Sequence, residues 1–167
     1  MLKVRGFVQL LPYGGTIIKQ INPKEVHETL ELKVMVESYA TDIFTSKADT
    51  GEISQLEATL KEVKKQVKRG SLLRLLYYNA RFHKQIVNRL NNEKLPKCHE
   101  TLIAPTTRFF ASSFFEKVNW GISAKKSKEI VDGMKRRGAA KAAKAALRHV
   151  LNTIERVFPS SLRRWKR

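Results

Sequence analysis

"LLRLLYYNARFHKQIVNRL", residues 72 to 90, carries the pattern on which the fold turns. Its apolar residues return every three or four positions, the period of an α-helix with one buried face. Leu72, Leu76, Ile86 and Leu90 form that stripe, and Asn79 and His83 share it. Positions four apart on a helix are neighbours, with Cβ atoms about 5–6 Å apart. The amide and the imidazole therefore aim at one point inside the protein.

The same period recurs on both sides. Helices are expected over residues 23–46, 52–69, 72–90, 95–115 (bent at Pro105), 123–137 and 139–158. Asn22-Pro23 starts the first, Gly70-Ser71 separates the second from the third, Ser123 caps the fifth, and Gly138 divides the last two. In the first helix Val26, Leu30, Val34, Tyr39, Ile43 and Phe44 read as inward. Leu56, Leu60, Val63 and Val67 make a narrow seam on the second, with Lys61, Lys64, Lys65 and Lys68 outside. Phe109, Phe110, Phe114 and Phe115 make the end of the fourth strongly apolar, as core, pocket wall or dimer surface. Ala139, Ala142 and Ala146 give the sixth a small face that permits close helix approach.

The fold class is thus all-α, an antiparallel bundle of about six helices. Residues 6–18, GFVQLLPYGGTII, differ: two short apolar runs flank a Pro-Tyr-Gly-Gly turn and predict a small β-hairpin. The organisation is a hairpin segment over 1–20, a helical domain over 21–158 and a basic tail over 159–167.

A chain of 167 residues can bury one sizeable core. With 42% hydrophobic and 29% charged residues it falls outside the disordered class. Cys98 is the single cysteine, which excludes an internal disulfide and fits a reducing cytoplasm. The N-terminus lacks the unbroken apolar core of a signal peptide, and no stretch is long enough to span a bilayer. The outlier is charge, +18 overall, with 14 Lys and Arg against three acids from Trp120 onward. Such a field suits nucleic acid or another anionic surface, and equally a solvated helical face. The few aromatics lie in apolar stripes, so no base-stacking platform is visible.

Nothing reads as an enzyme. No nucleophile–base signature, paired carboxylates or phosphate-cradling glycine loop is present. Cys98 and His99 are adjacent, which points them in different directions on a helix, and both read as part of a polar patch.

His149 follows the small face of the sixth helix, on the side of Ala142, Ala146, Thr153 and Val157. Asn79, His83 and His149 can then converge from two helices in the bundle interior, where metal and ligand sites are commonly built. Left unpaired, each would cost about 1–3 kcal/mol. A divalent metal held by neutral imidazoles answers that cost, and so do mutual hydrogen bonds completed by a backbone carbonyl.

The sequence resembles the effector-binding and dimerisation (FCD) domain of FadR-type GntR transcription regulators over nearly its whole length. Gly6-Phe7-Val8, Pro12, Gly15 and Ile18 resemble the wing of that family's winged helix-turn-helix. "HETLELKVMVESYATDIF" resembles the first effector-domain helix. "NARFHKQIVNRLNN" with Leu95 resembles the D-x-x-F-H then N-x-x-L signature, and "SAKKSKEIVDGMKRRGAAKAAKAALRHV" the closing helices. The resemblance implies a dimerising bundle that binds a small carboxylate, in many members with a divalent metal (Zn, Ni or Mn) on one Asp and three His. Carried over, the metal positions are Asn79, His83, Ser127 and His149. Lys33 stands where an arginine often faces the effector's carboxylate, and Arg108 is a further candidate anion contact. Two positions depart from the pattern: Asn79 offers a neutral carbonyl, and Ser127 removes an imidazole.

The resemblance implies a homodimer that would reach DNA through a winged helix-turn-helix. The chain opens at the wing, so the expectation is no sequence-specific DNA binding by this polypeptide, whether it is a fragment, a product of a misassigned start or a decayed copy. The competing reading is a basic helical protein that binds nucleic acid without sequence preference.

Overall fold

The computed structural model describes residues 8–10, 16–18, 22–111 and 117–158. β1 (Val8–Leu10) and β2 (Thr16–Ile18) pair antiparallel, with Val8 opposite Ile18 and Leu10 opposite Thr16. Two three-residue strands are too little to stand alone, and the expected winged-helix remnant over residues 1–20 is not supported. The turn at Pro12 to Gly15, Phe114, Phe115 and the basic tail from Pro159 lie outside the described residues.

The body is helical: α1 (Pro23–Lys47), α2 (Thr50–Arg69), α3 (Leu72–Asn88), α4 (Lys94–Ala111), α5 (Lys117–Lys135) and α6 (Ala139–Val157). Local chemistry sets most boundaries. The Asn22 side chain accepts from Lys24 N–H at 3.0 Å ahead of Pro23, whose missing N–H costs nothing there. A capping box starts α2, where Asp49 Oδ1 accepts from Glu52 N–H at 2.8 Å and Glu52 Oε2 from Asp49 N–H at 3.0 Å. Gly70 ends that helix in the left-handed conformation, φ 66°. Asn92 Oδ1 caps α4 by accepting from Lys94 and Leu95 N–H.

α1 packs most extensively on α6, α5 on α6, and α2 on α3 and α5, while α4 closes against α1 and α3. Gly133 makes the α5–α6 crossing possible. A Cβ there would meet the Ala142 Cα at 2.9 Å, inside ordinary contact. The small face on α6 is thus matched by a bare backbone on α5. The interior divides into two apolar clusters: a larger one from Phe44, Leu56, Leu60, Phe82, Ile86, Ile130 and Met134, and a smaller one from Val26, Leu30, Val34, Phe109, Val150 and Ile154.

Several expectations are corrected. Tyr39 is 56% exposed. The inward face of α1 runs through Leu30, Lys33, Val34, Glu37, Ala40, Thr41 and Phe44, and Tyr39 lies about 200° around the helix from Glu37. On α3 the buried stripe is centred on Leu75, Phe82, His83, Ile86 and Val87, which leaves Leu72 and Leu76 half-buried. α5 begins at Lys117, so Ser123 lies inside it and is no cap. His99 is buried and does not belong to a polar patch, whereas Cys98 is exposed.

Candidate functional site

Lys33 and Glu37 lie one turn apart on the buried face of α1, and their side chains pair directly. The Glu37 carboxylate, 4% exposed, is the hub of a polar cluster. Its Oε1 takes the Lys33 ammonium and also lies 2.9 Å from Nε2 of His99, on α4. Oε2 lies 3.1 Å from Nδ1 of His83, on α3. One carboxylate thereby joins three helices. The His83 ring stacks on that of His149, from α6, at 5.3 Å between centroids and 29° between planes.

The electrostatics follow from this geometry. Burial pushes the Glu37 carboxyl toward neutrality, but the adjoining His83 and Lys33 outweigh it and hold the group well below the usual carboxylate range. Burial lowers His99, only partly opposed by its bond to Glu37. A neutral His99 facing an ionised carboxylate must carry its proton on Nε2 and donate it. His149 is pushed down to about 3, by burial first and then by His83. It is neutral at pH 7, and its Nδ1 is buried with no hydrogen-bond partner.

These side chains line a cavity of about 70 Å³. Lys33, Asn79, His83 and His149 are all in its wall, so four of the residues picked out in the sequence converge there. Arg108 and Ser127 are buried but do not line it. The Ser127 hydroxyl instead donates to the Ser123 carbonyl at 3.2 Å. Glu37, His99, Thr106, Thr107, Trp120, Ser123 and Thr153 complete the polar wall; the sequence marked none of them as a site residue, and Ser123 only as a helix cap. Two of them had a signal. Glu37 follows Lys33 by four residues at buried spacing, and His99 falls in line with Leu95, Leu102, Thr106 and Phe109. Trp120 escaped because α5 starts earlier than its cap-like serine suggested.

A divalent metal does not fit this donor set. Among the described residues no three His, Cys, Asp or Glu side chains are placed to share one ion. Of the four positions carried over by resemblance, Asn79 is neutral and Ser127 faces its own helix. The one carboxylate in the wall is engaged by Lys33, His83 and His99, and the ammonium repels a second cation.

Comparison with known proteins agrees with the fold. Residues 28–152 match the FCD domain family, and the chain belongs to it. No curated protein sequence matches the chain. The solved structure of E. coli McbR/YncC superposes with a TM-score of 0.81 at 12% identity, covering 95% of this chain and 80% of that one. Streptococcus agalactiae GntR gives 0.67 at 14% identity, covering 91% and 76%. A transcriptional regulator of the GntR family from Pseudomonas syringae pv. tomato gives 0.63 at 13% identity, covering 95% and 65%. At these identities the likeness is one of fold.

Proposed function

We propose that this chain is the ligand-sensing and dimerising domain of a GntR-type transcription regulator, and that its cavity binds a small carboxylate-type effector without a metal. The observation that carries the reading is the interior cavity itself, walled by Lys33, Glu37, His83, His99 and His149 at the junction of α1, α3, α4 and α6. A bundle needing only stability would fill that space with apolar side chains, since buried ion pairs are often no more stable than packed hydrocarbon. Lys33 supplies the positive charge for a carboxylate. Its ammonium has three N–H groups and makes one bond to Glu37.

In the complete regulator the effector would bias one arrangement of a homodimer. That would change the spacing of two winged helix-turn-helix units on DNA, a coupling of about 1–3 kcal/mol. The reading places the protein in the cytoplasm, assigns it no catalysis, and outranks sequence-independent nucleic-acid binding because a charged exterior requires no polar cavity. Among the described residues no helix is long and apolar enough to cross a membrane.

The test is a thermal-shift series with small carboxylates on the wild type and on His83→Ala. A ligand at a hundred times its Kd should stabilise the wild type by about 2.7 kcal/mol and leave His83→Ala unmoved. Equal shifts in both proteins would place binding elsewhere.

A further inference from the structure

Trp120, on the first turns of α5, lines the same cavity and is 6% exposed. Its indole Nε1 is buried and has no hydrogen-bond partner. An indole N–H can only donate, and a buried donor left without an acceptor is a standing cost that folding does not recover. The apolar part of the side chain is packed into the larger core cluster, so the N–H is held in place at the cavity wall.

The rest of the wall tells what belongs opposite it. Both Glu37 oxygens are engaged. The hydroxyl hydrogens of Thr106 and Thr153 are used on the carbonyls of Leu102 and His149. What remains is weighted toward donors: the Trp120 N–H and the N–H groups of Lys33 not used on Glu37. Asn79, the hydroxyls of Thr107 and Ser123, and the unpartnered Nδ1 of His149 can serve in either sense. A donor-rich wall calls for a guest with acceptor oxygens. A cavity of 70 Å³ has room for about two waters at their ~30 Å³ share of liquid volume, or for an acid of two or three carbons.

We infer that Trp120 is a ligand-binding residue whose indole N–H donates to a carboxylate oxygen of a two- or three-carbon acid held between Trp120 and Lys33. This rests on the effector reading and adds to it a contact, a size limit and an optical reporter. The contact fixes one oxygen on α5 while Lys33 fixes the charge from α1, so the bound acid bridges two helices that both pack on α6.

The experiment uses the full chain with Trp165→Phe, which leaves Trp120 as the only indole of the two tryptophans. Acetate, glycolate and pyruvate are titrated into the 15N-labelled protein, following the indole N–H resonance beside the thermal shift. The expected result is a downfield move of that resonance with a stabilising acid, and an affinity about tenfold weaker in Trp120→Phe. The NMR titration stands even if Trp120→Phe fails to fold. Stabilisation with a stationary indole resonance, and equal affinity in Trp120→Phe, overturns the contact and leaves the effector reading intact. No stabilisation by any of the three acids, with the resonance unmoved throughout, overturns the effector reading and the contact with it.

Discussion

Nε2 of His99 lies 2.9 Å from Oε1 of Glu37, joining α4 to α1 inside the bundle. Nothing in the local sequence of either residue announces the other. The bond sits in a cluster where one carboxylate satisfies an ammonium and two imidazoles, so each partner depends on Glu37 for its burial.

Glu37→Gln keeps the shape and removes the charge, which strands the Lys33 ammonium. Breaking one side of a buried pair costs about 3–5 kcal/mol, and urea unfolding of the variant should show a loss of that order. Adding Lys33→Met should recover part of it, because the uncompensated charge is then gone. A Glu37→Gln variant within about 1 kcal/mol of wild type would mean that the cluster is not a stability element.

Acid should weaken the fold before it reaches the ordinary carboxylate range. His149 is held down to about 3 in the folded protein, against about 6.5 in an unfolded chain. The unfolded state therefore takes up the proton first, and stability present above about pH 6.5 is lost as pH falls toward 3. His99, also lowered, acts in the same sense. Glu37, held below its usual value, adds a loss only below about pH 4.3. Between pH 7 and 5 His149 alone accounts for about 1.5–2 kcal/mol. Chemical denaturation at several pH values checks this, and His149→Phe should flatten the slope. An unchanged slope in that variant would falsify the assignment.

Zinc, nickel and manganese should each leave the melting temperature of the wild type unchanged, because the cavity already holds its own cation in Lys33. Stabilisation by any of them that vanishes in both His83→Ala and His149→Ala would show that the imidazoles do recruit a metal.

Two glycines on α5 should respond in opposite ways to alanine. At Gly133 the new methyl meets the Ala142 backbone at 2.9 Å, so the helices must part, at about 1–3 kcal/mol. At Gly121 a Cβ has nothing within 4 Å, so the gain in helix propensity of about 1 kcal/mol should stand. Thermal melts of the two single variants compare them directly.

Much of this architecture was legible before the structure. Five of the six helices fall within about two residues of their expected starts, because caps such as Asn22, Asp49 and Gly70 act locally. The family signature around Asn79 and His83 located the cavity. Glu37 and His99 stayed hidden because charge at a core-spaced position reads as noise until a partner from another helix is seen. Tyr39 erred the opposite way, since an aromatic on a long helix looks inward whichever side it occupies. Ser123 was misread because a serine before a polar run resembles a cap even when the helix is already under way.

The cavity touches both apolar clusters, with Leu30 and Val150 from the smaller and Val63, Leu75 and Ala124 from the larger. It is the seam between two bodies of hydrocarbon of unequal size. Such units can open separately, and the amides around Val26, Phe109 and Ile154 should exchange with solvent sooner than those around Phe82 and Met134. A guest that fills the seam would weld the two into one cooperative unit. Its arrival would then be felt in the fluctuations of the whole bundle before any helix had changed position.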